Sequence, residues 1–585
     1  MSNIFGIFNS GISGLMASQA GIDVTGHNIA NVNTNGYSRQ VVSLTTQTPN
    51  ISGAQVYGRG VQVTSISRVY DEILAESIRN NQSQLSYYSS VQTTLSKVTV
   101  YFNELEKGSG LGESLRDYFA AWEDLAKTST DQAAEAMAHR VSLVEVTNTL
   151  TQKIQSNYNQ LEKFREEADY NLGTYVTEIN QLTESLAKIN GEIAKVEALG
   201  NTANDYRDQR DQILSRLSEL ANVTVNEKSN GQVTVYLGGS ALVDDKVNYK
   251  LFAENSENED GYYNITWGTA NDTKGQTDLT QYITGGAMGA ELAARDEILT
   301  GYMSQLDELA VTLINETNRI HSLGQGTSRF TQITSNNGVP NTSFVFAETA
   351  GAFPTAEITK GTLRVTVYDS EDNVAGTYDI DIDPSKDNLN SIIQKISAAD
   401  GDMAGGKLQA NVSLDNTIKI STEAGYTFAF TEDTSNFLVA AGLNSFFSGT
   451  GAGDIQLSTQ IQENNLYIAT GKSDADGDNT VARDIAGLKY EKVFENQGIT
   501  IDGFYSYFVT GIAAEKQQVD TFVTTVKYSL SELELKMEEI QGVSMDEELT
   551  NLMRFQRSYE ASARFITTVD SMIDKLINGT GLVGR

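Results

Sequence analysis

The chain has 585 residues, more than one hydrophobic core serves, so three to five domains are expected. Its 39% hydrophobic content is enough to build cores and excludes wholesale disorder, while 42 basic against 76 acidic side chains give a net charge of -34 and leave no concentrated basic face for nucleic-acid phosphates. Cysteine is absent and the only histidines, His27, His139 and His321, are far apart, so disulfides, thiol nucleophiles and paired zinc ligands are excluded and no metal or other cofactor is expected.

In chain order, Met1-Ser-Asn-Ile-Phe-Gly-Ile-Phe lacks the basic start and continuous apolar run of a signal peptide. No window reaches 18 apolar residues, so no membrane insertion is expected. Phe5, Phe8, Ile12, Leu15, Gln19, Ile22, Gly26 and Ile29 alternate four and three residues apart, the spacing of one helical face. Gly6, Gly11, Gly14, Gly21 and Gly26 fall in the same stretch, each costing up to about 1 kcal/mol of helix stability relative to Ala. Such a helix needs packing to persist, and glycine lets a neighbouring backbone come close.

Only four prolines occur, at 49, 340, 354 and 384, so residues 50 to 339 hold no helix-breaker. Leu172, Tyr175, Ile179, Leu182, Leu186, Ile189, Ile193 and Val196 form an unbroken seam of the coiled-coil or long-bundle kind. Leu143, Val146, Leu150, Ile154, Leu161 and Phe164 extend it backward, and one helix from 143 to 196 spans roughly 80 Å at 1.5 Å per residue. Alternating apolar and polar residues at Val223-Thr-Val and Gln232-Val-Thr-Val-Tyr-Leu predict a small β-rich insert over 223–285. Helical spacing returns at Leu292, Ile298, Leu306, Leu309, Leu313 and Ile320, with Gly324 and Gly326 placed to stop it. Thr362-Leu-Arg-Val-Thr-Val-Tyr, Tyr378-Asp-Ile-Asp-Ile, Thr417-Ile-Lys-Ile and Tyr426-Thr-Phe-Ala-Phe predict a larger β-rich insert over 326–500.

The C-terminal stretch is helical again. Positions 545, 549, 552, 556, 559, 563, 566, 570, 573 and 577 keep strict four-three spacing, so Leu549, Leu552, Tyr559, Ala563, Ile566, Ile573 and Ile577 join the N-terminal stripe as candidate assembly residues. Gln556 and Asp570 interrupt this stripe as buried register markers or as edge residues. The expected fold class is α+β and multidomain, with paired N- and C-terminal coiled-coil helices, a long α-helical body and inserted β-rich outer domains. The corresponding division is 1–70 with 541–585 as a terminal assembly domain, 71–222 with 286–325 and 501–540 as a helical rod, and the two inserts.

Asn28-Ile-Ala-Asn-Val-Asn-Thr-Asn-Gly-Tyr-Ser-Arg resembles the N-terminal signature of bacterial flagellar rod, hook and hook-associated proteins, carried by Asn28, Asn31, Asn33, Gly36, Tyr37 and Arg39. The run from Gly542 to Arg564, with Phe555 and Gln556, resembles their C-terminal signature. Tyr118-Phe-Ala-Ala-Trp-Glu-Asp-Leu, Arg207-Asp-Gln-Arg-Asp-Gln-Ile-Leu and Gly477-Asp-Asn-Thr narrow the resemblance to the first hook-filament junction members of that family. One departure is Asn35, where the family commonly has Pro before the glycine; Asn-Gly also suits a turn, but the turn type is left open.

The resemblance implies a structural subunit exported by the flagellar type III apparatus and placed in the extracellular flagellum. Its implied partners are copies of itself in a ring, the hook protein, the second hook-filament junction protein, and a cytoplasmic export chaperone on the C-terminal helix. Rival readings are the hook, distal rod or filament subunit, a surface adhesin, or a hydrolytic role for 330–500. Asp474, Asp476 and Asp478 begin like a calcium loop, but Asn479 stands where glycine is wanted and Ile485 where glutamate is, so a solvated acidic turn is the expectation. No phosphate loop, nucleophile elbow or Ser-His-Asp grouping is present, and no catalytic residue is assigned.

Overall fold

The computed structural model describes residues 2–52, 55–102, 110–128, 133–256, 261–349, 351–353, 356–399, 407–473, 475, 477–494 and 497–579. The chain begins with α1 (Ser2–Ala30), β1 (Gln40–Thr46), β2 (Asn50–Ser52), β3 (Gln55–Tyr57) and β4 (Val61–Arg68). Four helices follow: α2 (Glu72–Tyr101), α3 (Leu111–Lys127), the 65-residue α4 (Ala133–Glu197) and α5 (Asn204–Leu220). Then come β5 (Thr224–Glu227), β6 (Val233–Leu237), β7 (Ser240–Asp244), β8 (Val247–Asn255), β9 (Tyr263–Thr269) and β10 (Thr277–Asp278), with α6 (Gly286–Ala293) joined through a π-helical turn to α7 (Leu299–His321). Strands β11 (Gln332–Thr334), β12 (Gly361–Tyr368), β13 (Val374–Ile382), β14 (Leu408–Val412), β15 (Ile418–Thr422), β16 (Thr427–Asp433), β17 (Phe447–Ser448) and β18 (Gln456–Leu457) alternate with α8 (Leu389–Ser397), α9 (Phe437–Ala441) and α10 (Thr459–Glu463). The last elements are α11 (Thr480–Gly487), α12 (Ile501–Gln541) and α13 (Met545–Gly579).

Two compact units result. One comprises Met1–Thr93, Glu166–Arg295 and Gln518–Arg585; the other comprises Thr94–Arg165 and Asp296–Gln517. This partition differs from the four segments expected from sequence, because contacts, and not helical texture, decide it.

In the first unit β5 to β10 form one antiparallel sheet in sequence order. Its core is shared with helices, since Val233, Val235, Leu251 and Ile265 cluster with Leu172, Ile179 and Leu186 of α4 and Leu214 and Leu217 of α5. The α4 seam therefore lies on a sheet and a short helix instead of a second long helix. Its buried stripe also contains polar side chains, Thr183 and Asn190. Asn190 Nδ2 donates to Val233 O (2.8 Å) and Asp245 O (2.9 Å), and its Oδ1 accepts from Val233 N (3.1 Å). An amide on the seam thus fastens the helix to the sheet backbone and leaves none of its own atoms unpaired.

In the second unit two antiparallel three-stranded sheets, β11-β15-β14 and β13-β12-β16, enclose Leu363, Val365, Ile420, Phe428 and Phe430. Beside them α3 buries Leu115, Tyr118, Phe119, Trp122 and Leu125 on one face, as its period predicts. Trp122 lies against Phe446 with ring centroids 4.9 Å apart, and Tyr118 shares a hydroxyl hydrogen bond with Thr317 of α7. His321 is fully buried in this core.

Candidate assembly interface

The first unit brings together α1 and α13, 540 positions apart at the Ser18–Ser558 contact, where Ser18 Oγ donates to Ser558 Oγ (3.1 Å). On the α1 side the surface that meets α13 is built from small residues. Gly11, Gly14 and Gly21 of α1 lie under Ile566, Ser562 and Phe555 of α13, so close that a Cβ on Gly21 would stand 2.5 Å from the Phe555 ring. Large side chains on α13 fill the space that absent side chains on α1 leave, and this fixes which faces touch.

The stripe residues flank that contact. Phe8, Ile12, Leu15, Ile22 and Ile29 are half-buried, whereas Ala17, Val24 and Asn28 on the neighbouring face are buried. Phe5 is within α1, but its side chain lies outside the described residues. On α13, Leu552, Ala563, Ile566 and Ile573 are half-buried and Leu549, Tyr559 and Ile577 are exposed, Ile577 by 67%. Gln556 and Asp570 are exposed as well, so neither acts as a buried register marker within the chain. The expected pairing of one stripe with the other is thus met only in part: small residues of α1 pack against Phe555, Ser562 and the stripe residue Ile566 of α13, which leaves the α1 stripe half-buried and Leu549, Tyr559 and Ile577 exposed.

At the end of α1 the signature residues tie four elements together. Asn28, 1% exposed, uses its whole amide. Nδ2 donates to Gln40 O (2.9 Å) and to Glu548 Oε2 of α13 (3.0 Å), while Oδ1 accepts from Gln40 N (3.0 Å) and from the Tyr37 hydroxyl (2.7 Å). Since the Tyr37 hydroxyl proton goes to Asn28, its oxygen accepts from His27 Nδ1 at 3.1 Å, which assigns that proton to Nδ1. Burial, together with the charges of Asp205, Asp208 and Glu548, raises the Tyr37 pKa well above its usual value and keeps the hydroxyl protonated. Asn31 Nδ2 donates to His27 O (3.0 Å), Asn33 is exposed, and Arg39 meets Glu547 at 3.5 Å.

The same node takes in the interior segment 207–214. Asp208 of α5 accepts from Ser38 N (3.0 Å), Ser38 Oγ (2.8 Å) and Arg68 (2.8 Å), and Arg68 also meets Asp211 at 2.6 Å. Burial pushes the Asp208 carboxyl up against the opposing pull of Ser38 and Arg68. Gln212 Nε2 donates to Asn35 O (2.7 Å), and Arg39 N donates to Gln541 O at the end of α12 (2.9 Å). The turn between them has Tyr37 N donating to Thr34 O (3.2 Å) and positive φ at Gly36 (+75°) but not at Asn35, the type II pattern. Three of the five sequence segments that carried the resemblance thus converge here. Sequence reasoning marked Asn28 and Tyr37 but missed Ser38, Arg68 and Glu548, whose pairing over long separations leaves no local signal.

The remaining two segments meet in the second unit. Asn479 Nδ2 donates to Ala126 O (3.2 Å) and Thr128 O (2.9 Å), closing the last turn of α3. Asp478 accepts from the Thr480 hydroxyl and N–H and from the Ser473 hydroxyl and N–H, which holds its carboxyl well below the usual range against the opposing effect of burial. Asp474 and Asp476 lie outside the described residues. Among the described residues no cluster of three or more His, Asp or Glu has metal-binding geometry, and no helix is long and apolar enough to cross a membrane.

The chain thus pairs its terminal helices over a glycine seam closed by a polar node, and at both ends the comparisons place it in the axial class of flagellar protein. Residues 8–37 match the model described as flagella basal body rod protein, and 536–579 match the flagellar basal body rod FlgEFG protein C-terminal model. Residues 95–332 match the flagellar hook-associated protein FlgK helical domain. The flagellar hook-associated protein 1 of Bacillus subtilis (strain 168) is 24% identical over 585 residues, covering 98% of this chain and 97% of that one. The protein of the same name from Escherichia coli (strain K12) is 23% identical over 580 residues, covering 98% and 99%. The flagellar hook junction protein FlgK from Burkholderia pseudomallei has a similar fold, with TM-score 0.50 and 16% identity over 80% of this chain and all of that one. The chain belongs to the flagellar hook-associated protein 1 family.

Proposed function

We propose that this chain is a structural subunit of the bacterial flagellum at the hook-filament junction, exported by the flagellar type III apparatus and assembled through its terminal helices without any catalytic step. The observation that carries this reading is the pairing of α1 with α13 over the α1 glycines, which leaves Leu549, Tyr559 and Ile577 exposed and Ile12, Leu15 and Ile22 half-buried on the same element pair. Apolar ridges of that kind are buried by other helices of like spacing, and neighbouring copies in a ring supply them. In this reading segments 1–70 and 541–585 form the assembling part, 71–222 with 286–325 and 501–540 form the helical body, and 223–285 and 326–500 face outward. The hook protein and the second junction protein are the axial neighbours, and an export chaperone covers α13 before assembly. The finished location is extracellular.

Deleting the gene tests the reading against its nearest rivals. A junction subunit's loss leaves hooks in place and releases unpolymerised filament subunits into the medium. Absence of hooks would instead indicate a hook or distal rod protein, and normal attached filaments would refute a junction role.

A further inference from the structure

The node contains a chemically labile bond that its assembly role does not use. Five Asn-Gly dipeptides occur, beginning at Asn35, Asn190, Asn230, Asn337 and Asn578. Four have their side-chain amide engaged. Asn190 is buried on the α4 seam and donates to two strand carbonyls. Asn230 Nδ2 donates to Gln232 Oε1 (2.6 Å), Asn337 Nδ2 to Ala440 O (3.0 Å) and Asn578 Nδ2 to Asp574 Oδ1 (2.7 Å). Asn35 is exposed, and among the described residues neither its side-chain amide nor the Gly36 N–H has a hydrogen-bond partner.

We propose that Asn35 is a site of spontaneous deamidation and that its conversion loosens the node. The Gly36 backbone nitrogen attacks Asn35 Cγ, forming a new N–Cγ bond; the Cγ–Nδ2 bond breaks and Nδ2 leaves as ammonia, taking up the Gly36 proton through water. Water then opens the resulting cyclic imide. Cleavage of the N–Cγ bond gives an ordinary aspartate at this position, and cleavage at the former peptide carbonyl gives isoaspartate, whose main chain runs through Cβ and Cγ. The co-reactant is water alone, with no oxidant or enzyme required.

The geometry favours the labile pair. Gly36 holds φ +75°, a conformation that most side chains disfavour, and a Cβ there would stand 2.3 Å from Gln212 Nε2, so glycine suits the position best. A glycine leaves the attacking nitrogen unshielded. The turn is also open to solvent, since residues 31–38 line a cleft of about 970 Å³ with Arg68, Asp208 and Gln541. Both products add a negative charge to a cleft that Asp208, Asp211, Glu534 and Glu538 also line, where like charge opposes it. Isoaspartate additionally takes the Gln212-bound Asn35 carbonyl out of the main chain as a free carboxylate and lengthens the chain by one carbon ahead of the Asp208-bound Ser38.

Purified full-length chain held in warm, mildly alkaline buffer and followed by peptide mass spectrometry tests the proposal. The expected result is a gain of about 1 Da and an isoaspartate signature at Asn35 ahead of the other four sites. Hydrogen exchange at Ser38 and Arg39 is expected to speed up about tenfold in the aged chain and to stay constant in an Asn35→Gln chain aged alongside. A short peptide of the same sequence supplies the unfolded reference. Conversion of the peptide with an intact Asn35 in the protein would overturn the proposal, as would earlier conversion of any other Asn-Gly. Conversion at Asn35 with unchanged exchange at Ser38 and Arg39 would overturn the loosening.

Discussion

Asn28 is worth more than its size because four hydrogen bonds from three elements end on one buried amide. Replacing it with Ala leaves the Gln40 backbone and Glu548 without their partner, and a loss of about 2 to 4 kcal/mol in the first unit is expected. Asn28→Asp separates shape from chemistry. The carboxylate keeps the acceptor for Gln40 N but stands against Glu548, so the variant should be weaker than Asn28→Ala at neutral pH and should recover as the pH falls and one of the pair takes a proton. Denaturant melts read by Trp267, which lies in this unit, check both outcomes. His321 gives the second unit a pH response of its own. Its Nδ1 donates to Asn444 O (2.8 Å) and its Nε2 accepts from Ala469 N (2.9 Å), so the ring is neutral and has no room for a second proton. Burial pushes its pKa down to about 4, with Arg140 adding to the effect. The unfolded chain takes up that proton near pH 6.5, so stability is complete above 6.5 and falls as the pH drops toward 4, by about 1.4 kcal/mol per unit and about 3 kcal/mol in total. Trp122, with its ring 6.3 Å from His321, reports it. The unfolding midpoint should fall between pH 7 and 5, and His321→Leu, less stable at neutral pH, should show a flatter profile.

The terminal helix pair turns on Gly21 and Phe555. In an isolated helix Gly21→Ala gains about 1 kcal/mol from propensity alone. Here the new Cβ enters the Phe555 ring, and a net loss of about 1 to 2 kcal/mol is expected as α13 is pushed off α1. Phe555→Ala relieves the clash, so the double variant should lose less than the two single losses added together; limited proteolysis of α13 and a double-mutant cycle measure the coupling. If Gly21→Ala stabilises the pair, the close seam is not what holds it. This is also where legibility from sequence ends. Period is local, so the four-three spacing located α1, α4 and α13 and the alternation located β6, β12 and β16. Which face of a helix is covered depends on its neighbour, and apolar content pointed to Ile12, Leu15 and Ile22 when the covered face was built from Gly11, Gly14, Ser18 and Gly21. The glycines were legible as a cost and as permission for close approach, but not as the seam itself. The node was legible as three separate segments; that Asn28 reaches Glu548 across 520 positions is a property of the fold.

At the scale of the molecule, burial is very unevenly shared. Among the described side chains of α13 only Glu548 and Val569 are buried, while Met553, Phe565 and Met572 stay exposed. By contrast α7, with 23 residues, buries Leu299, Leu306, Leu309, Leu313 and Ile320 in the second unit. Each exposed apolar side chain forgoes about 1.5 to 3 kcal/mol that burial provides, and the glycines of α1 subtract up to about 1 kcal/mol apiece. The terminal pair therefore has less apolar burial of its own to hold it than α7 does, and relies on the glycine seam and the node. A part so poised orders fully only when something covers its stripes, and the free energy of covering them becomes the free energy of assembly. In the isolated chain the amides of α1 and α13 should accordingly exchange with solvent far faster than those of α3 and α7, and should become protected when the chain is added to purified hooks. A chain stopped at Gln541 should keep the Trp122 unfolding transition and lose hook binding. Exchange in α13 as slow as in α7 before any partner is added would show that the pair is stable alone, and assembly would then need a source of free energy other than the ordering of these helices.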